Sequence, residues 1–329
     1  MKTILAIETS CDDTSIAVVR GHNVLTLKTH SQIEEHKKFG GVIPELASRY
    51  HANDIHDLIE KAMNDTGLDF SDLDGIAVTT SPGLINTLQV GLQVAKTLSQ
   101  ELNIPFYSIN HIEAHAFSPF IGKDILPKKA IVVIASGGHT QIFKMDTLFK
   151  YKLLGETKDD AIGEAFDKVA KILDLGYPGG PVIDKIHSSH PLSEYKFDTP
   201  NLKGYDMSYS GLKSKVLNEK KKTLRDDETL AAAFQGAAVD QLVNKIKLAI
   251  KDNPEIENII VGGGVSANSY FRNELKKIEN VNVHLPKSIY TGDNAAMIGY
   301  LCNIKLERKK IEPAKIDMDA KPRGGINGK

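Results

Sequence analysis

The sequence predicts an α/β fold made of two related halves, each built on a mixed sheet. Two observations carry this. Short apolar runs alternate with longer helical stretches along all 329 residues, the pattern of strands packed beneath helices. A strand, a hydroxyl-bearing tight turn and a returning strand also occur twice, at Glu8–Val19 and Ile134–Phe143. An echo of this kind suggests internal repetition, and its hairpins add antiparallel pairs to the sheets.

Taken in order, Thr3–Ile7, Ser15–Arg20 and Val24–Lys28 read as strands, with Ser10-Cys11-Asp12-Asp13 as the first turn. A helix runs from Pro44 to about Met63, and Ile76–Thr80 is a buried strand closed by Pro82-Gly83. Leu84–Leu102 is the next helix. The pattern restarts at Ala130–Ala135, turns at Ser136-Gly137-Gly138-His139 and returns along Thr140–Lys144. Helices follow at Gly163–Leu173, Val182–Ser188 and Asp226–Ile250. In the last, Leu230, Phe234, Ala238, Leu242, Ile246 and Ile250 recur every four residues as one apolar face. Ile259–Val261 is a buried strand, Ala267–Lys277 a helix, Val281–His284 a strand, and a final helix opens near Thr291. The expected organisation is a first half over 1–125, a second over 126–300, and a helix end and polar tail over 301–329 that packs back on the first half. The tail from Pro313, rich in Lys, Gly and Pro, is expected to fray.

Composition narrows the function. Charged residues are 25% and hydrophobic ones 41%, ordinary for a globular protein. With 41 Lys and Arg against 42 Asp and Glu, bulk charge gives no help with a polyanion. Such a partner would need a local basic patch or a helper subunit. Two cysteines, Cys11 and Cys302, exclude a disulfide framework and a thiolate zinc site. Only Ile4–Ile7 separates Lys2 from Glu8, too short for a signal-peptide core, and no run approaches 18 apolar residues. A cytosolic protein is expected.

His111-Ile112-Glu113-Ala114-His115 is the most informative stretch. With Asn110 as N-cap and Pro119 as a stop, it can form a short helix that puts both imidazoles on one face. Two rings so placed can reach one divalent metal; otherwise they form a polar helix face. A zinc protease would carry Glu directly after the first His, whereas Glu113 points off that face. Asp293, at the start of the last helix, is either its N-cap or a third ligand. Two His and one carboxylate suit Fe(II) and also Zn(II).

Other segments have the shape of ligand loops. Thr9–Asp12 and Ser136–Thr140 offer hydroxyls and successive N–H groups, as ordinary hairpins or as a phosphate clamp of the actin, hexokinase and acetate-kinase kind. No Walker or Rossmann fingerprint competes. Asp167 can accept ribose hydroxyls or simply pair with Lys168. Tyr177–Pro181 reads as a stiff loop exposing the Gly180 N–H, with Asp184 one turn on. Gly262-Gly263-Gly264 leads to Asn268, as a base or ribose site or a plain helix cap. Lys213, Lys215, Lys220, Lys221, Lys222 and Arg225 are the densest basic cluster, a solvated loop or a tRNA-docking patch.

In this order the segments resemble one family, the tRNA N6-adenosine threonylcarbamoyltransferases (TsaD), once described as O-sialoglycoprotein endopeptidases. The resemblance runs through Glu8–Thr14, Gly40–Arg49, Pro82-Gly83-Leu84, the His segment, Ser136–Thr140, Asp160–Lys168, Tyr177–Asp184, Tyr209–Lys213, Gly262–Asn268 and Asp293-Asn294. It implies an actin-like (ASKHA) duplicated fold, two domains around a nucleotide cleft. It also implies transfer of a threonylcarbamoyl group from threonylcarbamoyl-AMP to N6 of the adenosine 3′ to the anticodon, in tRNAs reading codons that begin with A. His111, His115 and Asp293 resemble the family's metal ligands, usually described with Fe(II). Ile134, Ala135, Ser136, Gly137, Gly138, Asp167, Gly180, Asp184 and Asn268 resemble its substrate contacts. Bacterial-type features imply a TsaB-like paralogue, a TsaE-like ATPase and a separate synthase as helpers. Asp12 is a candidate proton acceptor on location alone. Ser81 and Met207-Ser208-Tyr209 depart from the commonest pattern. A small-molecule kinase of the actin-like class is the rival, but it leaves the His pair idle; a non-catalytic scaffold should lack the ligand set altogether. The protease reading fails on the position of Glu113.

Overall fold

The computed structural model describes residues 1–123, 125–189, 195–200 and 202–326. The chain forms two compact units, Met1–Leu126 with Gly292–Lys329, and Pro127–Thr291. Residues 292–300, assigned to the second half on sequence, lie in the first unit. The reason is their helix, which covers the first sheet.

The first unit holds strands β1 (Thr3–Glu8), β2 (Asp13–Arg20), β3 (Asn23–Ser31), β4 (Gly75–Ser81) and β5 (Phe106–Asn110). Their order is β3-β2-β1-β4-β5. β1 pairs antiparallel with β2 and parallel with β4, and β4 pairs parallel with β5. The second unit holds β6 (Ala130–Ala135), β7 (Thr140–Thr147), β8 (Lys150–Glu156), β9 (Asn258–Gly262) and β10 (Asn282–His284). Its order is β8-β7-β6-β9-β10, again with an antiparallel hairpin and then two parallel strands. The two sheets therefore share one topology strand for strand. Central strands such as TILAIE and AIVVIA are buried throughout, as expected where helices cover both faces.

In the first unit α1 (Ile33–Lys37), α2 (Pro44–Thr66), α3 (Ile85–Leu102), α4 (His111–Phe117) and, from the far end of the chain, the tenth helix (Ala295–Glu307) surround the sheet. Pro44 opens α2, and Gly67, at φ 65°, ends it in the left-handed conformation. The second unit holds α5 (Ile162–Ile172), α6 (Gly179–Ser189), α7 (Ser210–Lys222), α8 (Asp227–Lys251) and α9 (Ser269–Lys276), so the Ala295–Glu307 helix is α10. It lies on β1 and β2, where a Cβ at Gly299 would sit 2.7 Å from Val19 Cγ2, so only glycine allows that approach. On α8, Leu230, Phe234, Ala238, Leu242 and Ile246 are all fully buried.

The tail does not fray over residues 311–326. Ala314 N donates to Phe106 O and Lys321 N to Thr80 O, while Ala314, Met318 and Ala320 join the first unit's core. Apolar side chains spaced along a polar stretch, together with strand-edge carbonyls to bond, hold it down. Strands β5 and β8 and helix α7 were not anticipated from sequence. Among the described residues no helix is long and apolar enough to cross a membrane.

Candidate functional site

In the first unit the carboxyl ends of β1, β4 and β5 lie side by side, and the chemistry gathers there, as it does in open α/β sheets generally. β5 runs straight into α4. Asn110 caps that helix, its side-chain oxygen accepting from Glu113 N at 2.9 Å. The Asn110 amide in turn donates to Gly325 O of the tail and to Ser81 Oγ. Ser81 thus supports the His helix at one remove, although it touches none of the candidate ligands.

All seven residues of α4 are buried. His111 and His115 stand edge to face with ring centroids 4.6 Å apart. Asp293 Oδ1 lies 3.0 Å from His115 Nε2 and 3.4 Å from His111 Nε2. The neighbouring Asn294, not Asp293, caps α10 by accepting from Met297 N, which leaves the aspartate to face the rings. The three side chains offer ligand atoms within 4.8 Å of one another, a group that could hold a metal ion. The donor set fits a borderline divalent cation with open positions. Glu113 turns to the other side and meets Lys305 of α10, so the intervening carboxylate is neutralised away from the rings.

Charge in this cluster is shared. Burial opposes a proton on His111, but Asp293 and Glu8 outweigh it and hold its pKa well above the ordinary imidazole value. Burial and then the neighbouring His111 push His115 down. Burial would raise Asp293, yet His111 and His115 hold it well below the usual carboxylate range. Glu8 ends lowered, the pull of His111 exceeding its burial. Burial raises Asp12, and it pushes Asp13 up to about 7. Asp13 Oδ1 is buried with no hydrogen-bond partner among the described residues. Sequence reasoning singled out Asp12 and passed over Asp13.

The first hydroxyl turn joins the β1–β2 hairpin, the plainer of its two sequence readings. Thr9 and Ser10 are buried, with Thr9 Oγ1 bonded to Thr87 O and Ser10 Oγ 3.2 Å from His111 Nδ1. Those hydroxyls make their contacts within the unit's interior.

The second turn is open. Ile134 and Ala135 are buried strand residues, Ser136 is half-buried, and Gly137 and Gly138 are exposed with clear space at their Cα atoms. Around it, Gly163 N donates to Ser136 O. Gly263 has φ 93°, and a Cβ there would lie 2.4 Å from Ala135 O, so glycine is required on both counts. Gly179 already begins α6, so the Gly180 N–H sits at a helix start and not in a stiff loop. Asp167 Oδ1 accepts from Gly179 N at 2.7 Å. Asp184 accepts from Ser269 N and Ser269 Oγ, and from Gln235 Nε2. Asn268 caps α9 through its oxygen and donates its amide to Gln235 Oε1. Both readings of Asn268 therefore bear on the same residue, and its cap leaves one N–H uncommitted by these bonds. Fully buried Gln235 ties Asp184 to Asn268, a link across α6, α8 and α9 that no local pattern announces. The basic cluster lies on helix α7 and just beyond it and is largely occupied: Lys213 meets Asp160, Lys215 meets Asp198 O, Lys220 meets Asp174, and Lys222 and Arg225 meet Glu219. Met207 and Tyr209 are core residues of this unit.

The sequence model of the TsaD family, tRNA N6-adenosine threonylcarbamoyltransferase, matches residues 23–300. The chain belongs to the TsaD family. A tRNA N6-adenosine threonylcarbamoyltransferase of Caldicellulosiruptor saccharolyticus is 44% identical over 316 residues, covering 92% of this chain and 93% of the relative. One of Sulfurihydrogenibium sp. is 43% identical over 329 residues, 98% of this chain and 96% of the relative. Among solved structures, full-length HypF in its phosphate- and nucleotide-bound form aligns with a TM-score of 0.64 at 16% identity, over 95% of this chain and 57% of that one. That likeness shows the two-domain ASKHA-like fold. As a TsaD-family chain this protein is a transferase of tRNA modification, which sets the kinase reading aside.

Proposed function

We propose that this protein transfers the threonylcarbamoyl group of threonylcarbamoyl-AMP to N6 of the adenosine 3′ to the anticodon in tRNAs reading codons that begin with A, releasing AMP. The observation that carries the reading is the convergence of His111, His115 and Asp293 at one strand-end cluster in a TsaD-family chain. These three would hold the metal, Fe(II) by the family's habit, with Zn(II) acceptable to the same donors. Bound there, the metal supplies Lewis acidity toward the carbamoyl oxygen.

The exposed N–H groups of Gly137 and Gly138 and the helix-start N–H of Gly180 suit the AMP portion, with Ile134, Ala135 and Ser136 shaping that turn. Asp167, Asp184 and Asn268 complete the nucleotide contacts. In the reaction N6 of adenine attacks the carbamoyl carbon, the new C–N bond forms, the anhydride C–O bond breaks, and AMP leaves with the electron pair. Asp12, or its neighbour Asp13, accepts the amine proton. The adenine must be presented out of its stack, which an anticodon loop permits at lower cost than a duplex. No serine or cysteine nucleophile is needed, so transfer is direct. The near-neutral charge supports a share of tRNA docking for helpers, a TsaB-like paralogue and a TsaE-like ATPase, working in the cytoplasm with a TsaC-type synthase.

The test is label transfer from radioactive threonine, with bicarbonate, ATP, synthase and helpers, to an unmodified transcript of such a tRNA. Wild type is run beside His111→Ala/His115→Ala. Label with wild type alone supports the reading. Equal label with the variant removes the metal group from it, and no label with active adenylate and helpers rejects the transferase assignment for this substrate.

A further inference from the structure

Glu8 is fully buried at the end of β1, has no place in the reaction above, and is more than a hundred residues from its principal partner. A carboxylate so placed must find donors, and it finds three. Ser10 N donates to Oε1 at 2.6 Å, Thr79 Oγ1 donates to Oε2, and His111 Nδ1 lies 3.2 Å from Oε2. The sheet dictates this arrangement. Ile7 pairs with Val78, so Glu8 arrives beside Thr79, and His111 follows the end of the next parallel strand.

We propose that Glu8 is a positioning residue that fixes the tautomer and ring orientation of His111 for metal binding. The inference rests on the metal reading of His111, His115 and Asp293. An ionised carboxylate only accepts hydrogen bonds, so Nδ1 must carry the proton toward Glu8. Nε2, which faces Asp293, is then the nitrogen left to a cation, its proton giving way to the metal. Carboxylates that receive the outer N–H of a ligating imidazole hold its orientation and raise its basicity, and their loss weakens metal binding by about 10- to 100-fold. Only His111 is served this way: Nδ1 of His115 is buried with no hydrogen-bond partner among the described residues. Ser10 Oγ, 3.2 Å from the same His111 nitrogen, is a second acceptor. The β1–β2 turn, whose sequence resembles a phosphate loop, therefore works as the buttress of an imidazole.

The experiment uses the full chain stripped of metal. Zn(II) and Co(II) affinities are measured by calorimetry and visible absorption for wild type, Glu8→Ala, Glu8→Gln and Thr79→Val. Histidine ¹⁵N resonances of the Zn(II) forms report the His111 tautomer. Glu8→Ala is expected to weaken both metals by about 10- to 100-fold and to blur the Nδ1–H tautomer. Glu8→Gln, which retains an acceptor oxygen, recovers part of the affinity and the tautomer signal. Thr79→Val, which loosens Glu8 without altering its charge, gives a loss of a few fold and substitutes for Glu8→Ala should that variant not fold. Wild-type affinity and an unchanged tautomer in the carboxylate variants overturn the proposal while leaving the metal reading intact. Failure of wild type to bind either metal overturns both.

Discussion

Replacing Lys305 by methionine takes the cation from Glu113 while keeping most of the side chain's volume. The Glu113 side chain is 4% exposed and the Lys305 side chain 16%, so the pair sits well inside the seam between α4 and α10. Breaking a buried pair from one side takes away the charge's main counterion where water is scarce, and such substitutions cost up to roughly 3–5 kcal/mol. At about 2–4 °C per kcal/mol for a chain unit of this size, Tm of the first unit's transition should fall by about 10 °C. Glu113→Gln/Lys305→Met removes the opposing charge as well and should recover most of that loss. Because α4 carries His111 and His115, Zn(II) affinity should fall in the single variant and return in the double one. Calorimetric unfolding of the four species of the cycle, with a Zn(II) titration of each, gives the answer. A single-variant cost below about 1 kcal/mol, the figure for exposed pairs, would refute the claim that this contact anchors the His helix. So would a double variant no more stable than the single one.

Two further outcomes are expected. Asp13 has a folded-state pKa of about 7 against an ordinary 3.8, so its carboxyl costs stability as pH rises between those values, up to a ceiling of about 4 kcal/mol above pH 7. In metal-free protein Asp13→Asn should therefore raise Tm at pH 8, with the gain vanishing near pH 4; a pH-independent gain would show that ionisation of Asp13 is not its source. Gln235→Leu withdraws the donor from Asp184 and the acceptor from Asn268, which should cost about 1–3 kcal/mol in thermal unfolding and weaken AMP binding in a direct titration. Undiminished AMP affinity in a folded variant would separate Asp184 and Asn268 from the nucleotide.

What could be read from the sequence was what has a local period. His111 and His115 stand four apart, so a helix brings them together whatever surrounds it. Asp293 entered the reading as either an N-cap or a third ligand, and the structure gives the cap to Asn294 instead. The duplicated hairpins and the every-fourth stripe of α8 were legible for the same reason. β5 went unread because it is five residues long and merges with the helix after it. α7 was hidden by its lysines: only Leu212 and Val216 are buried, and the polar face hides that one-turn spacing. Glu8 and Gln235 were missed on different grounds. Their partners lie on other elements, and sheet register and helix packing, not spacing along the chain, decide who meets whom. The turn at Thr9 and Ser10 shows the converse, a local pattern whose chemistry is redirected once its hydroxyls are enclosed.

The first unit is completed by its last helix. α10 covers one face of β1 and β2, and Asp293 reaches the His pair from the same late stretch, with the whole of Pro127–Thr291 intervening. During synthesis, which proceeds from the N-terminus, the second unit is continuous and can close as soon as it is made. The first must wait, its sheet without α10 and its histidines without their aspartate, until residue 307 or so has cleared the ribosome. Assembly of the His–His–Asp group is therefore a late event in the life of each chain, and a truncated product would carry the two imidazoles without the third donor.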